Sequence, residues 1–308
     1  MSKLDQKYAE MMENHPFGIA LFHPPPSGTF KPGVCGYFDE YGAWNPICDL
    51  LDTKGLAAKG LSPVEQEPER APLENGIKWG PQMSTDTKAS KLNMKGGVAP
   101  QPGIPVNASA IYEYSSSKDI GAILLTTPPI THDRFYFSTP FKNWVKKNAQ
   151  AILKNYPDVQ EHQLWVVTSV YMTKSCAINM WNGHDKNFTV GFSVDAMGAG
   201  EAGTGFEWHH SQKDEGWSEY SPPGDQQAVV YFGGLVFTYH RSLFGKEDLR
   251  QKALAPAFSS GLFRGSQVLV KIEDPHHLNE HVTIRYNEVF EEADLELDIE
   301  DTEERKVE

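Results

Sequence analysis

The chain has 308 residues, 39% of them hydrophobic and 11% aromatic, a composition typical of a globular protein rather than a disordered one. Its formal net charge of -13 at pH 7 argues against nucleic acid as a partner. Cys35, Cys48 and Cys176 show no metal-ligand spacing, and an odd number of cysteines argues against a disulfide framework. We find no secretory leader and no apolar run of about 18 residues, so we expect a cytoplasmic, soluble protein.

The first part of the chain is predicted to contain few regular elements. Apolar residues at helical spacing indicate a short helix within residues 2–13. Residues 17–48 alternate apolar runs with Pro and Gly, which favours several short strands. Residues 52–91 show little periodicity, and we expect a loop there with at most a short helix around residues 49–58.

Strand-like patterns dominate the middle of the chain. Residues 109–115 and 120–126 flank the sequence Ser-Ser-Lys-Asp, which predicts a β-hairpin. Further strands are predicted at residues 134–138, 164–172, 176–181, 188–194 and 227–239. Because the connections are turns rather than crossover helices, the predicted fold class is α+β, a twisted antiparallel sheet with packed helices.

One segment, residues 141–156, combines a helical pattern with a strong positive charge and contains no acidic residue. Its apolar positions are Phe141, Trp144, Val145, Ala149, Ile152 and Tyr156. Its basic positions are Lys142, Lys146, Lys147 and Lys154. At about 100° per residue the two sets occupy opposite halves of an amphipathic helix, with Thr139-Pro140 at its start. The lysine half is compatible with three environments: water, acidic lipid headgroups, or the acidic tail of the same chain.

The chain changes character after residue 244. Residues 245–308 carry 8 basic and 16 acidic residues, a net charge of -8. Alternating patterns at residues 266–273 and 281–288 predict an added hairpin, and the acid-rich end is predicted to be disordered. We therefore divide the chain into a main domain (1–244), a linker with a hairpin appendage and a candidate regulatory role (245–287), and an acidic tail (288–308).

No motif supports catalysis. Gly198-Ala-Gly-Glu-Ala-Gly203 matches G-x-G-x-x-G, but no helical pattern follows it, so we prefer a hairpin tip to a dinucleotide site. The pairs His209-His210 and His276-His277 would point to opposite faces of a strand, and we expect no metal site. With neither a nucleophile elbow nor an H-E-x-x-H helix, we expect no enzyme and no cofactor.

The order of several segments carries a family resemblance. The chain opens with Gly18-Ile-Ala-Leu, Phe30-Lys-Pro-Gly-Val and Trp44-Asn-Pro-Ile, followed by Leu92-Asn-Met-Lys-Gly-Gly and the strand region to residue 128. The helix at 140–156, the strands within 164–178, the region 188–205 and the closing run Val229-Val-Tyr-Phe-Gly-Gly-Leu-Val-Phe-Thr-Tyr come next. In this order, residues 15–244 resemble the N-terminal pore-forming domain of gasdermins, and most closely the short gasdermin-like cell-death proteins of fungi.

The resemblance implies a function and a set of residues. It implies a cytoplasmic precursor that binds acidic membrane phospholipids, forms homo-oligomers and permeabilises the cell membrane in regulated cell death, including fungal allorecognition. Two central regions would refold into hairpins of a β-barrel pore. The expected lipid-binding residues are Lys142, Lys146, Lys147 and Lys154. The expected membrane-inserting residues are Ile111, Ile120, Ile123, Leu125, Phe188, Val190, Phe192 and Val194. A protease acting in the region of Phe244, Phe258 and Phe263, or a related partner protein, would activate the precursor.

A second hypothesis stays open at this point. The same alternation of apolar residues is typical of a β-sandwich strand with one buried face. The chain is then a non-catalytic, β-rich ligand-binding or lectin-like module, with aromatic loops at residues 37–44 and 208–220 that offer stacking surfaces. The sequence leaves open the activation trigger, the subunit number, the lipid preference and the role of the acidic tail.

Overall fold

The structure is a computed structural model of the chain. It describes residues 1–92, 104, 108, 110–118, 120–182, 187–192, 208–210, 216–243, 246–247, 267–276 and 280–289. Its helices are α1 (Lys3–Met11), α2 (Thr53–Ala58), α3 (Thr139–Asn155) and α4 (Val159–His162). The first nine strands are β1 (Ile19–Ala20), β2 (Val34–Phe38), β3 (Trp44–Asp49), β4 (Glu74–Ile77), β5 (Gln82–Met83), β6 (Thr87–Lys91), β7 (Ala110–Ser116), β8 (Ile120–Thr126) and β9 (Ile130–Arg134). The others are β10 (Leu164–Thr173), β11 (Cys176–Asn182), β12 (Phe188–Phe192), β13 (Trp208–His210), β14 (Trp217–Tyr220), β15 (Ala228–Leu243), β16 (Lys246–Glu247), β17 (Gln267–Glu273) and β18 (Glu280–Glu288).

A ten-stranded antiparallel sheet forms the centre of the fold. Its main path runs β17-β18-β15-β10-β2-β3, with β1 and β16 added to β15, and β9 and β4 added beside β10. The two longest strands, β10 and β15, pair along nearly their whole shared length, from Leu164 opposite Phe237 to Thr173 opposite Ala228. This confirms the α+β class with antiparallel strands that the sequence predicts.

The remaining strands form two separate four-stranded sheets. One has the order β14-β11-β8-β5 and is called sheet C here; the other has the order β13-β12-β7-β6 and is called sheet D. One hydrophobic cluster contains side chains from both sheets, so they pack face to face as a β-sandwich. The predicted hairpin at residues 109–126 is therefore wrong in its pairing, because β7 lies in sheet D and β8 in sheet C.

Helix α3 covers one end of the central sheet. Its buried face includes Phe141, Trp144 and Ile152, which pack with Leu235 and Ile284 of the sheet. Each of these large side chains contributes about 1.5–3 kcal/mol when it leaves water. The predicted apolar stripe is confirmed. The helix begins at Thr139, with Ser138 at the N-cap and Pro140 in the first turn, which agrees with the predicted start at Thr139-Pro140.

The region 52–91 differs from the sequence-based expectation. Residues 52–91 hold the expected short helix α2 but also three strands, β4, β5 and β6, which pair with β9, β8 and β7. These strands are short and largely exposed, so their sequences lack the alternation that marks a half-buried strand.

The predicted C-terminal hairpin is confirmed as β17 and β18. It is continuous with the central sheet, because β18 pairs with β15 from Leu235 opposite Glu288 to Leu243 opposite Glu280. The acidic tail beyond residue 289 lies outside the described residues.

Candidate functional site

Helix α3 holds the neighbouring chain segment through two polar side chains on its buried side. The indole N–H of Trp144 donates to the carbonyl oxygen of Ser62 at 2.7 Å. The Oδ1 of Asn148 accepts from the backbone N–H of Ser62 at 2.7 Å. Asn148 is buried, and these bonds satisfy it, so its place inside an apolar stripe has a structural reason that the sequence pattern did not show.

Two of the four predicted lipid-binding lysines are engaged within the chain. The Nζ of Lys142 lies 3.4 Å from the Oε2 of Glu288 and 5.3 Å from the ring centroid of Tyr286, both on β18. The Nζ of Lys147 donates to the Oε1 of Glu65 at 2.6 Å. Each lysine is thus held by a different part of the chain.

The other two lysines face water. Lys146 and Lys154 are exposed, and neither has an ion pair with another residue in the described part of the chain. Lys154 lies in the last turn of α3, where the helix dipole favours a cation. The structure therefore places all four lysines on one helix, two of them available and two already paired.

The interior of the β-sandwich is the second candidate site. Ten buried residues from four strands form its core: Ala110, Tyr112, Tyr114, Ile123, Leu125, Ala177, Trp181, Phe188, Val190 and Phe192. The rings of Trp181 and Phe188, on β11 and β12, lie 4.9 Å apart and tie the two sheets together.

The predicted membrane-inserting residues fall into three groups. Ile123, Leu125, Phe188, Val190 and Phe192 all belong to the sandwich core. Ile111 is buried in a separate small cluster on the outer face of sheet D, and Ile120 is only partly buried at the start of β8. Val194 lies outside the described residues.

Sequence reasoning missed Tyr112, Tyr114 and Trp181 of the sandwich core, although the alternation of Tyr112 and Tyr114 along β7 was visible. The hydroxyl of Tyr114 and the indole N–H of Trp181 are buried without a hydrogen-bond partner among the described residues. Burial also raises the pKa of Tyr114 far above its usual range, so the hydroxyl is neutral. A buried polar group without a partner costs about 1–3 kcal/mol, so this core is less stable than its apolar area suggests.

Helix α1 covers the other face of sheet C. Tyr8 and Met12 are fully buried against Leu124 of β8 and Ile178 of β11. Since β8 and β11 are buried on both faces, their sequences are apolar at nearly every position rather than alternating.

A cavity of about 690 Å³ lies where α1 meets the turn between β7 and β8. Its walls include Glu10 and Met11 of α1, Ser84, and Lys118 of the turn, and the Nζ of Lys118 pairs with the Oδ2 of Asp86 at 2.8 Å. The cavity opens to solvent and contains groups of both charges, which suits a small polar ligand.

A second polar cluster lies in the central sheet. The Nε2 of His132 is 3.0 Å from the Oγ of Ser169, and its Nδ1 is 3.6 Å from the Oε2 of Glu74. The imidazole stacks on Tyr171, with centroids 4.0 Å apart. The distance to Glu74 exceeds hydrogen-bonding range, and none of these residues lines the cavity described above, so we assign the cluster a structural role.

The other chemistry-bearing residues carry no reactive arrangement in the described part of the chain. Burial raises the pKa of the Cys176 thiol to about 12, and therefore the sulfur stays protonated and unreactive at neutral pH. Cys35 and Cys48 are buried partners on β2 and β3. Among the described residues, no group of three or more His, Cys, Asp or Glu side chains could hold a metal ion. The G-x-G-x-x-G sequence at 198–203 and the predicted processing residues Phe244, Phe258 and Phe263 lie outside them.

The aromatic loops of the lectin-like hypothesis are only partly open. Tyr41 is 77% exposed at the β2–β3 turn. The ring of Trp44 packs 4.7 Å from Phe30, and the ring of Trp217 packs against Phe188 of the sandwich. Trp44 and Trp217 therefore pack against the core, and Tyr41 is the large exposed aromatic side chain among the described residues of the two loops.

No helix in the described residues is both long and apolar enough to span a membrane. A scan against protein-family models gave no match for the chain, and a search of the curated proteins gave no significant similarity.

Proposed function

We propose that the chain is a gasdermin-like pore-forming protein that binds acidic phospholipids, oligomerises and permeabilises membranes. One observation carries the proposal. The segments β7–β8 and β11–β12 are each a β-arch, two consecutive strands that face each other across a sandwich instead of pairing side by side. Each arch gives one strand to sheet C and one to sheet D.

Opening both arches turns them into a single sheet. The pairing of β8 with β11, which runs from Cys176 opposite Thr126 to Asn182 opposite Ile120, can stay intact. If β7 then pairs beside β8, and β12 beside β11, the order becomes β7-β8-β11-β12, with each strand antiparallel to its neighbour. The connections at 117–119 and 183–187 are short enough to serve as hairpin turns.

The opened sheet would have one apolar face. In an arch, the two strands turn their inner faces toward each other. When the arch is flattened into one sheet, these two inner faces lie on the same side of that sheet. The sandwich core would then form a continuous surface that includes Tyr112, Leu125, Trp181 and Val190. A membrane-spanning strand needs about 9–11 residues, so β7, β8 and β11, with seven residues each, would lengthen at their ends.

The change breaks three ladders of strand pairs in the two sheets. It removes the pairing of β5 with β8, at Gln82 opposite Leu124 and Met83 opposite Ile123. It also removes the ladders β11–β14 and β7–β12. Every lost pair in β8 and β11 is replaced by a new one within the opened sheet, so the backbone groups remain satisfied, as a membrane requires.

The lysines of α3 supply the membrane contact. Each lysine near an anionic bilayer contributes about 1 kcal/mol of attraction at physiological ionic strength. Lys146 and Lys154 are exposed and have no ion pair within the described residues, and Lys142 and Lys147 become available when their acidic partners are displaced. In this proposal the chain is cytoplasmic when inactive and at the cell membrane when active. Its partners are anionic lipids, further copies of itself, and an activating protease or related protein; nucleic acid, cofactors and catalysis play no part.

Dye release from lipid vesicles tests the proposal. The full chain, intact and after limited proteolysis, is added to vesicles of phosphatidylserine and phosphatidylcholine that contain a quenched dye. We expect release from anionic vesicles and little from purely zwitterionic ones. If neither form releases dye from anionic vesicles across a range of pH and ionic strength, the pore-forming function is wrong.

The cavity at α1 favours a second candidate, a module that binds a small polar ligand. Its size and its mixed charges around Glu10, Asp86 and Lys118 fit such a ligand. A thermal-shift screen with sugars and small zwitterions would support this function through a saturable rise in Tm that the Lys118→Ala variant loses. No rise with any probe would contradict it.

A further inference from the structure

An acidic segment of the main domain lies along the lysine helix. Residues 62–69 have the sequence Ser-Pro-Val-Glu-Gln-Glu-Pro-Glu, with glutamates at positions 65, 67 and 69 and no base. We call this segment the acidic strap. All three glutamates are exposed, whereas Leu61, just before the strap, is buried in the same core as α3.

The strap is anchored at both ends by groups other than its carboxylates. At its start, the backbone of Ser62 bonds to the side chains of Trp144 and Asn148 in the middle of α3. At its end, the carbonyl oxygen of Glu69 accepts from the backbone N–H of Tyr136, just before α3 begins. The strap therefore runs beside the first half of the helix.

Between these anchors, Glu65 reaches Lys147 at 2.6 Å. The hydrogen bond from Lys147 lowers the pKa of the Glu65 carboxyl, so the contact stays ionic well below neutral pH. The side chains are 73% and 45% exposed, which means that the pair is open to competition from solvent ions and from any other anion at the surface.

We propose that the acidic strap is a built-in competitor for anionic lipid, which holds Lys147 on the lysine face of α3 and raises the negative charge density that a membrane needs for binding. The inference rests on the proposed lipid-binding role of α3. The strap presents the Glu65 carboxylate to Lys147 as a phosphatidylserine headgroup would, and a dense anionic surface displaces it by offering more negative charges at once.

The groups that hold the strap in place differ from the carboxylates that compete with lipid. The anchors of the strap are backbone groups and an apolar side chain, so neutralising its glutamates leaves the path of the chain unchanged. Substitution of Glu65 and Glu67 by glutamine therefore changes the electrostatic competition and keeps the shape of the segment. Since the competition is electrostatic, salt weakens it, and the Debye length shrinks from about 10 Å at 0.1 M to about 3 Å at 1 M ionic strength.

The test measures binding and leaves permeabilisation aside. Vesicles of phosphatidylserine and phosphatidylcholine are floated with the full-length E65Q/E67Q variant, the parent, and an E40Q/D225N control that removes the same charge from exposed positions elsewhere. We expect E65Q/E67Q to bind three- to tenfold more tightly than the parent in low salt, with the gain lost in high salt. The control should change binding less than twofold.

A second comparison links the effect to the helix. In a K147Q background, Glu65 has lost its partner, so the gain from E65Q should shrink to less than half of its value in the parent. Equal binding by the parent and E65Q/E67Q, or an equal gain in the control, overturns the strap as a competitor. If all variants bind vesicles but release no dye, pore formation is refuted and the competitor role of the strap is unaffected. Failure of the proposed function and failure of the strap proposal are therefore distinguishable.

Discussion

A disulfide across sheet D should hold the arches closed. Glu113 of β7 and Thr189 of β12 are directly opposite partners, and both point away from the sandwich core. Opposite residues in an antiparallel pair have Cα atoms about 4.5–5.5 Å apart, which lies within the range that a disulfide spans. The E113C/T189C variant should therefore form the bond under mild oxidation without a change in fold.

The size of the effect follows from the strand order. In the opened sheet, β7 and β12 are the two outer strands, three inter-strand steps of about 4.8 Å apart, or about 14 Å. A disulfide limits the two Cα atoms to about 6.8 Å, so the crosslinked chain cannot open. The bond also closes a loop of about 75 residues and should add about 4 kcal/mol to the free energy of unfolding.

Dye release from anionic vesicles is the assay, run on the oxidised and reduced forms of the same variant. We expect no release from the oxidised form and parent-like release after reduction. The matched control is N75C/T131C, which joins opposite partners on β4 and β9 outside the sandwich and closes a loop of similar length. It should raise Tm by a similar amount and leave release unchanged. Full release by oxidised E113C/T189C would refute the opening of the arches.

Three further predictions concern single features of the fold. The K146E/K147E variant should bind anionic vesicles at least tenfold more weakly than the parent, with an unchanged circular-dichroism spectrum. Binding equal to that of the parent would show that α3 is not part of the lipid-binding site. The hydrogen bond that His23 donates to the Asp5 carboxylate raises the pKa of His23, so this pair stabilises the fold below about pH 6.5 and its contribution is lost as pH rises through the raised pKa. His23→Gln should therefore lower the free energy of unfolding more at pH 5 than at pH 8, and the difference should be below about 1 kcal/mol because His23 is half exposed; a pH-independent loss would contradict it. A Cβ at Gly121 would lie 2.2 Å from the indole ring of Trp181 on the neighbouring strand. Gly121→Ala should therefore destabilise the sandwich by about 1–3 kcal/mol in urea unfolding. An unchanged midpoint would show that the ring moves freely.

The elements that the sequence predicts well are those whose pattern is local. Helix α3 is visible because a proline, a continuous apolar stripe and four lysines all lie within one segment. The strands β10 and β15 are visible because they are long and apolar on both faces, as buried central strands are.

The pairing of strands was the part that the sequence could not supply. Residues 110–126 have the same alternation and turn residues whether the two strands pair side by side or face each other across a sandwich. The choice depends on β11 and β12, about 60 residues further along, which give each strand a partner in its own sheet. Likewise, the contact of Lys147 with Glu65 joins positions 82 residues apart, and no local pattern connects them.

The long strand β15 has a consequence for any cut between residues 244 and 266. Its first part pairs with β1 and β10, and its last part, from Leu235 to Leu243, pairs with β18. The buried side chains of Val282 and Ile284 add apolar contacts to this ladder. A cleaved chain would therefore behave as a two-piece complex, and its halves could be separated in denaturant, recombined by fragment complementation and counted as one particle by native mass spectrometry.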